Sequence, residues 1–191
     1  MAPRICVVIG GVRSGKSAFA ENKAIEFNSL TGNTVLYAAT GVAFDEEMTD
    51  RIRRHQESRP RNWSTLEEPI QLAEKLSLVL RESDSVGTVI IDSIDVWVAN
   101  LLMRFQTEDR LTQEKLVSNE SDKLLHLIAD AQQQFVLVTS EVGLSLVSPE
   151  ALGRRFQDLL GTVNQRIAVV ATEVYLVLAG VPNKIKSETT E

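Results

Sequence analysis

Five short apolar runs punctuate this chain: Ile5 to Ile9, Thr34 to Ala39, Val86 to Ile91, Phe135 to Val138 and Val174 to Leu178. They are continuous rather than alternating, and a strand is apolar at every position only where both of its faces are covered. That restricts them to a largely parallel sheet packed between helices. Helical periodicity fills the intervals, over roughly Lys16 to Phe27, Asp45 to Ser58, Pro69 to Arg81, Ser93 to Phe105, Gln113 to Gln133 and Pro149 to Val170. Alternating strands and helices predict an α/β fold with right-handed crossovers. No Pro/Gly/Ser-rich linker or internal repeat divides the 191 residues. Residues 1–182 are therefore expected to form a single domain, and the polar residues 183–191 a fraying tail.

Composition removes several classes of function. With 43% hydrophobic and 24% charged residues the chain should pack, which excludes a disordered segment or a fibrous repeat. A net charge of -6 argues against wholesale binding of nucleic acid or an anionic membrane. The only cysteine, Cys6, has no partner for a disulfide or a cysteine-based zinc site. The amino terminus lacks a signal-peptide pattern, and no stretch approaches the roughly 18 apolar residues of a membrane span. A cytoplasmic protein without membrane insertion is expected.

The segment Gly10-Gly11-Val12-Arg13-Ser14-Gly15-Lys16-Ser17 fits G-x-x-x-x-G-K-[ST], directly after a predicted strand and opening a predicted helix. Glycines let backbone N–H groups converge on phosphate oxygens, and the helix N-terminus favours their charge. Lys16 can reach the β- and γ-phosphates, while the Ser17 hydroxyl suits Mg²⁺. A glycine turn without a ligand is the alternative. The expected fold is accordingly a P-loop NTPase-like three-layer sandwich with a mostly parallel central sheet. A magnesium site also wants a carboxylate, and Asp92 ends the run Val89-Ile90-Ile91. Asp92 could instead cap the helix beginning near Ser93. Asp95, inside that helix, ranks second for the metal.

Two histidines are present. His126 falls among Leu124, Leu125, Leu127 and Ile128 and reads as structural. His55 lies among Arg51, Arg53, Arg54, Arg59 and Arg61, five of the thirteen arginines of an acidic chain. Arginine forks suit a triphosphate or its pyrophosphate leaving group, but Glu46, Glu47 and Asp50 could equally pair them as a solvated face. Met48, Ile52 and His55 share a helical stripe, so the imidazole should project toward the packed side. Periodicity alone leaves a structural histidine and a nucleophile equally open.

Together these segments resemble the bifunctional adenosylcobinamide kinase and adenosylcobinamide-phosphate guanylyltransferase family of cobalamin biosynthesis. The resemblance runs along nearly the whole chain. Besides the phosphate loop, its carriers are Tyr37-Ala38-Ala39-Thr40, Asp45 to Met48, Arg51 to His55 with Arg59-Pro60, Trp63, Glu67, Asn100 to Leu102, Val138 to Gly143 and Arg155 to Gln165. It implies phosphorylation of adenosylcobinamide by ATP or GTP, then transfer of GMP from GTP, through a histidine-bound GMP, to adenosylcobinamide phosphate. His55 and Lys16 would be catalytic. The implied nucleotide contacts are Gly10, Gly11, Val12, Arg13, Ser14, Gly15, Lys16 and Ser17 in the loop, then Ala39, Thr40, Gly41, Gln56, Glu57, Ser58, Arg59, Glu67 and Asp92. Ser17 and Asp92 would hold Mg²⁺, and a homotrimer is implied.

The chain departs from the family pattern in three places. Arg54-His55 stands where many members carry two histidines. Ser140 follows Thr139 where the family often has asparagine, and the loop after Gly143 lacks the usual glycine-rich turn. Ser93-Ile94-Asp95 adds a carboxylate after the Asp92 strand. Two competing readings are a P-loop kinase of another small metabolite, with His55 structural, and a nucleotide-dependent switch without transfer chemistry.

Overall fold

The computed structural model describes residues 3–43, 46, 50, 53 and 59–187, the side chains of residues 30 and 31 excepted. In chain order the elements are β1 (Ile5–Gly10), α1 (Lys16–Thr31), β2 (Thr34–Ala39), β3 (Ser64–Glu67), α2 (Leu72–Glu82), β4 (Val86–Asp92), α3 (Ile94–Arg104), α4 (Arg110–Asp130), β5 (Gln134–Thr139), α5 (Ala151–Val170), β6 (Glu173–Leu178) and β7 (Val181–Ser187). The strands form one sheet in the order β3-β2-β4-β5-β1-β6-β7, parallel except for the β6–β7 pair. Of the helix expected over 45–58, Glu46, Asp50 and Arg53 are helical; the rest, His55 included, lies outside the described residues.

Period-two alternation explains why the runs are apolar throughout. In β1, Ile5, Val7 and Ile9 enter a large cluster with α2, α3, α4 and α5, whereas Cys6 and Val8 enter a smaller one with Ala20, Ala24 and Phe27 of α1. Among the described residues the sheet therefore lies between α1 on one face and α2, α3, α4 and α5 on the other, the expected sandwich. Burial pushes the Cys6 thiol up to about 12, helped by the nearby Glu173 carboxylate, so it is an inert core residue. Among the described residues no helix is long and apolar enough to cross a membrane.

Helix ends follow local chemistry. α1 starts from Gly15 in a left-handed conformation (φ 91°) and stops at Gly32 (φ 69°), whose N–H reaches the Asn28 carbonyl. α4 starts at Arg110, not Gln113, because the Asp109 carboxylate accepts from the Thr112 N–H and hydroxyl at 3.0 and 2.7 Å.

Two strands were not expected. The four residues of β3 are mostly exposed and extend the edge beside β2. Residues 183–187, expected to fray, belong to β7, which pairs antiparallel with β6 through the turn Ala179-Gly180. Both turn residues have positive φ (49° and 82°), as tight two-residue hairpins require. The Gly180 N–H donates to the Ser14 carbonyl at 2.8 Å, so this hairpin braces the phosphate loop.

Candidate active site

Parallel register gathers the strand ends into a row. Glu67 stands beside Ala39, Ala39 beside Asp92, Asp92 beside Val138, and Thr139 beside Ile9. The loop after β1, the segment after β2, Glu67 and Asp92 thus share the carboxyl edge of the sheet, where open α/β folds place their ligands. One strand, β5, separates β1 from β4, a gap of about 10 Å at the usual strand spacing.

The loop itself is closely packed. The Ser14 N–H turns back to the Gly11 carbonyl at 3.3 Å, and Lys16 Nζ donates to the same carbonyl at 3.2 Å. A Cβ on Gly10 would lie 2.5 Å from Ser14 Oγ and 2.7 Å from the Val177 carbonyl, so only glycine fits there. Ser14 Oγ is buried with no hydrogen-bond partner. An orphaned hydroxyl inside such a cradle is what a loop built for a further acceptor or donor would show. Val12 and Arg13 are exposed at its tip.

Asp92 does not act as a helix cap: Ser93 occupies that position, and Asp92 Oδ2 accepts from the Tyr37 hydroxyl at 2.6 Å. In β4, Val89 and Ile91 join the four-helix side and Ile90 the α1 side, so Asp92 projects toward α1, the helix that carries Ser17. A serine hydroxyl and a carboxylate on one side are the hard oxygen donors Mg²⁺ takes when phosphates complete its shell. One helical turn past Ser17, the Glu21 carboxyl is pushed up by burial and by the charge of Asp92, with Arg59 opposing.

Arg59 joins the same group. Its guanidinium carbon sits 3.6 Å from the centroid of the Tyr37 ring, and Trp63 stacks near that ring at 6.2 Å. Arg59 Nε and Nη1 are buried without a hydrogen-bond partner among the described residues, a pair of donors open to a ligand acceptor. The other described arginines of the cluster behave differently: Arg53 pairs with Asp50 on the helical surface and Arg61 is exposed. Burial first, and then Asp92, holds the Tyr37 phenol far above its ordinary range, so it stays a donor.

Thr40 is fully buried, and its polar groups are engaged internally. The hydroxyl donates to the Ser93 carbonyl at 2.8 Å and accepts from the Ser93 N–H at 2.9 Å. Its N–H reaches the Asp92 carbonyl at 3.2 Å, and Asn100 Nδ2 donates to its carbonyl at 2.8 Å. Thr40 therefore staples β2 to β4, while Gly41 beside it is exposed. Gln56, Glu57 and Ser58 lie with His55 outside the described residues, and His126 is exposed on α4.

A family model described as cobinamide kinase / cobinamide phosphate guanyltransferase (CobU) matches residues 6–185. The chain belongs to this family. It is 35% identical to the bifunctional adenosylcobalamin biosynthesis protein CobU of Escherichia coli, over 94% of this chain and 98% of the relative. The CobU protein of Salmonella typhimurium is 36% identical over the same shares. CobP of Pseudomonas aeruginosa is 35% identical over 95% of this chain and 97% of its own. Among solved structures, the flagellar accessory protein FlaH of Methanocaldococcus jannaschii superposes with a TM-score of 0.53 at 14% identity, covering 98% of this chain and 80% of that one. A solved ATPase domain gives 0.50 at 12% identity, over 91% of this chain and 68% of its own. These last two likenesses concern the fold alone, a mostly parallel sheet packed between helices.

Tyr37 and Glu21 escaped the sequence reading as site residues. Tyr37 pairs with a carboxylate 55 positions away, for which no local signal exists. Glu21 could have been found, since its position four residues after Ser17 puts both on one face of α1.

Proposed function

We propose that this member of the cobinamide kinase family phosphorylates adenosylcobinamide with ATP or GTP and then transfers GMP from GTP to the new phosphate, giving adenosylcobinamide-GDP. The observation that carries the reading is the convergence of Gly10–Ser17 and Asp92 on one carboxyl edge of the sheet, in a chain matched to the family over residues 6–185.

In the first reaction the acceptor hydroxyl oxygen bonds to the γ-phosphorus as the β–γ bridging bond breaks. Loop N–H groups hold the phosphates, and Lys16 offsets charge on the group in transit. The Arg59 donors, fixed against Tyr37, offer a second cationic contact to phosphate oxygens. Ser17 and Asp92 would hold Mg²⁺, which when bound neutralises phosphate charge. Tyr37 keeps the Asp92 carboxylate oriented. In the second reaction a ring nitrogen of His55 displaces pyrophosphate from the α-phosphorus of GTP. A phosphate oxygen of the phosphorylated acceptor then displaces that nitrogen. An uncharged imidazole serves well in both directions, as nucleophile and as leaving group.

Support for His55 comes from the R-x-x-x-H-x-x-x-R-P spacing, whose final Arg59-Pro60 sits at the candidate site. Ala39, Gly41, Gln56, Glu57, Ser58 and Glu67 complete the proposed nucleotide contacts, with Thr40 holding β2 and β4 in place beneath them. We also propose a cytoplasmic homotrimer. The test supplies adenosylcobinamide, ATP, GTP and Mg²⁺ and resolves the corrinoid products by mass. A phosphate ester followed by a GDP ester is expected; unchanged adenosylcobinamide after prolonged incubation refutes the assignment.

A further inference from the structure

The two proposed reactions make different demands on protons. Phosphorylating an alcohol releases the hydroxyl proton, whereas the two attacking atoms of guanylyl transfer, an uncharged imidazole nitrogen and then an ionised phosphate oxygen, carry no proton to give up. In the proposed reaction Lys16 is engaged by phosphate charge, and Ser17 and Asp92 are committed to the metal, so the proton needs another acceptor.

On the far side of the sheet edge stands a carboxylate with that capacity. Asp95 lies in the first turn of α3, whose Ile94, Trp97 and Val98 pack in the four-helix cluster, opposite the α1 side where Asp92 projects. Its Oδ2 accepts from the Ser140 hydroxyl at 2.7 Å, and its Oδ1 is buried with no hydrogen-bond partner. Ser140 follows the end of β5, the strand between the phosphate loop and Asp92. It is fixed from behind: Asn164 of α5 donates to the Ser140 carbonyl at 3.0 Å and accepts from the Thr139 hydroxyl at 2.8 Å. A carboxylate oxygen withdrawn from water and left unpaired is costly, and this one is held in place by a buried, otherwise satisfied network.

The loop that begins at Ser140 is also braced. The Gln157 side-chain amide donates to the Val142 and Leu146 carbonyls, and its oxygen accepts from the Ser148 N–H. Leu144, Leu146 and Val147 of this loop are exposed, an apolar stretch that follows Ser140 in the chain and would suit a large, partly apolar acceptor.

We infer that Asp95 Oδ1 is the proton acceptor of the kinase reaction, positioned by Ser140. This rests on the proposed function and adds to it the acceptor's side of the site. The acceptor alcohol approaches from the α3–α5 side, opposite the metal ligands. Its hydroxyl proton passes to Oδ1 as the oxygen bonds to the γ-phosphorus, and the electron pair of the broken β–γ bond leaves with the nucleoside diphosphate.

The experiment compares the full-length protein with its Asp95→Asn and Ser140→Ala variants in two assays. One is phosphorylation of adenosylcobinamide by ATP; the other is GMP transfer from GTP to preformed adenosylcobinamide phosphate. Asp95→Asn should lower the kinase kcat by about 100-fold, the usual worth of a positioned base, with the KM for ATP changed by less than about threefold. Ser140→Ala should lower the kinase kcat by a smaller factor. Guanylyl transfer should proceed at the native rate in both variants, which also shows that they fold. A kinase kcat within about threefold of the native value, an equal loss in both assays, or a loss reversed by raising Mg²⁺ would overturn the inference. Absence of both activities in the unmodified protein would overturn the proposed function itself, and this inference with it.

Discussion

Replacing Gly10 by alanine probes the packing of the phosphate loop at its tightest point. The new Cβ would meet Ser14 Oγ at 2.5 Å and the Val177 carbonyl at 2.7 Å. These contacts are not equivalent. The serine hydroxyl has no hydrogen bond to lose and can rotate, but Val177 is the β6 partner of Gly10 and is paired with Pro182 of β7 on its other side. Restoring an ordinary separation from that carbonyl requires a displacement of about 0.5 Å in a paired backbone, and overpacking of this kind costs about 1–3 kcal/mol. At roughly 2–4 °C per kcal/mol for a domain of this size, Tm should fall by about 6 °C. Nucleotide affinity should drop about tenfold or more, because the N–H groups of the loop move with Gly10. Adding Ser14→Ala should recover a minority of the lost stability, since the carbonyl contact persists. Calorimetry and nucleotide titration read both quantities. A Tm within about a degree of the native value, with unchanged nucleotide affinity, would show that the close approach does not exist.

Three further outcomes follow from the geometry. Tyr37→Phe keeps the ring beneath Arg59 but removes the bond to Asp92; unfolding free energy should fall by about 1.5–3 kcal/mol by urea titration, and an unchanged midpoint refutes that bond. Lys16→Ala should abolish nucleotide binding while leaving Tm near native, since the hydrogen bond that Lys16 Nζ makes among the described residues goes to the Gly11 carbonyl of its own loop; retained affinity would remove Lys16 from the site. Burial raises the Glu173 carboxyl, but hydrogen bonds from Lys184 and Tyr175 and the charge of Lys23 outweigh it and hold it below its ordinary value of 4.5. A lowered carboxylate stabilises the fold fully above its unfolded value and loses that contribution as pH falls through the folded one. The stability advantage over Glu173→Gln should thus be constant near neutrality and shrink below about pH 4.5; an advantage that persists at lower pH contradicts it.

Much of the fold was legible because strands covered on both faces announce themselves. β1, β2, β4, β5 and β6 each appear as an unbroken apolar run, and the helices between them carry the expected periodicity. β3 and β7 stand at the sheet edges, where exposure removes the need for apolar residues and hence the signal. Within the site the contrast is one of sequence distance. The phosphate loop is a local device and could be read directly. The Tyr37–Asp92 and Asp95–Ser140 bonds join residues 55 and 45 positions apart, and they exist only once the parallel register has set the strand ends side by side. From its neighbours in sequence Asp92 could also cap a helix; the place of Ser93 at the N-cap and the bond to Tyr37 decide against that.

The relay through His55 is tested directly by labelling. The protein is incubated with Mg²⁺ and GTP carrying label at the α-phosphate, then denatured and treated separately with acid and base. Label that stays with the chain, is lost in acid, survives base and disappears in His55→Ala is the predicted result. An unlabelled chain at saturating GTP, or equal labelling of the His55→Ala variant, would contradict it.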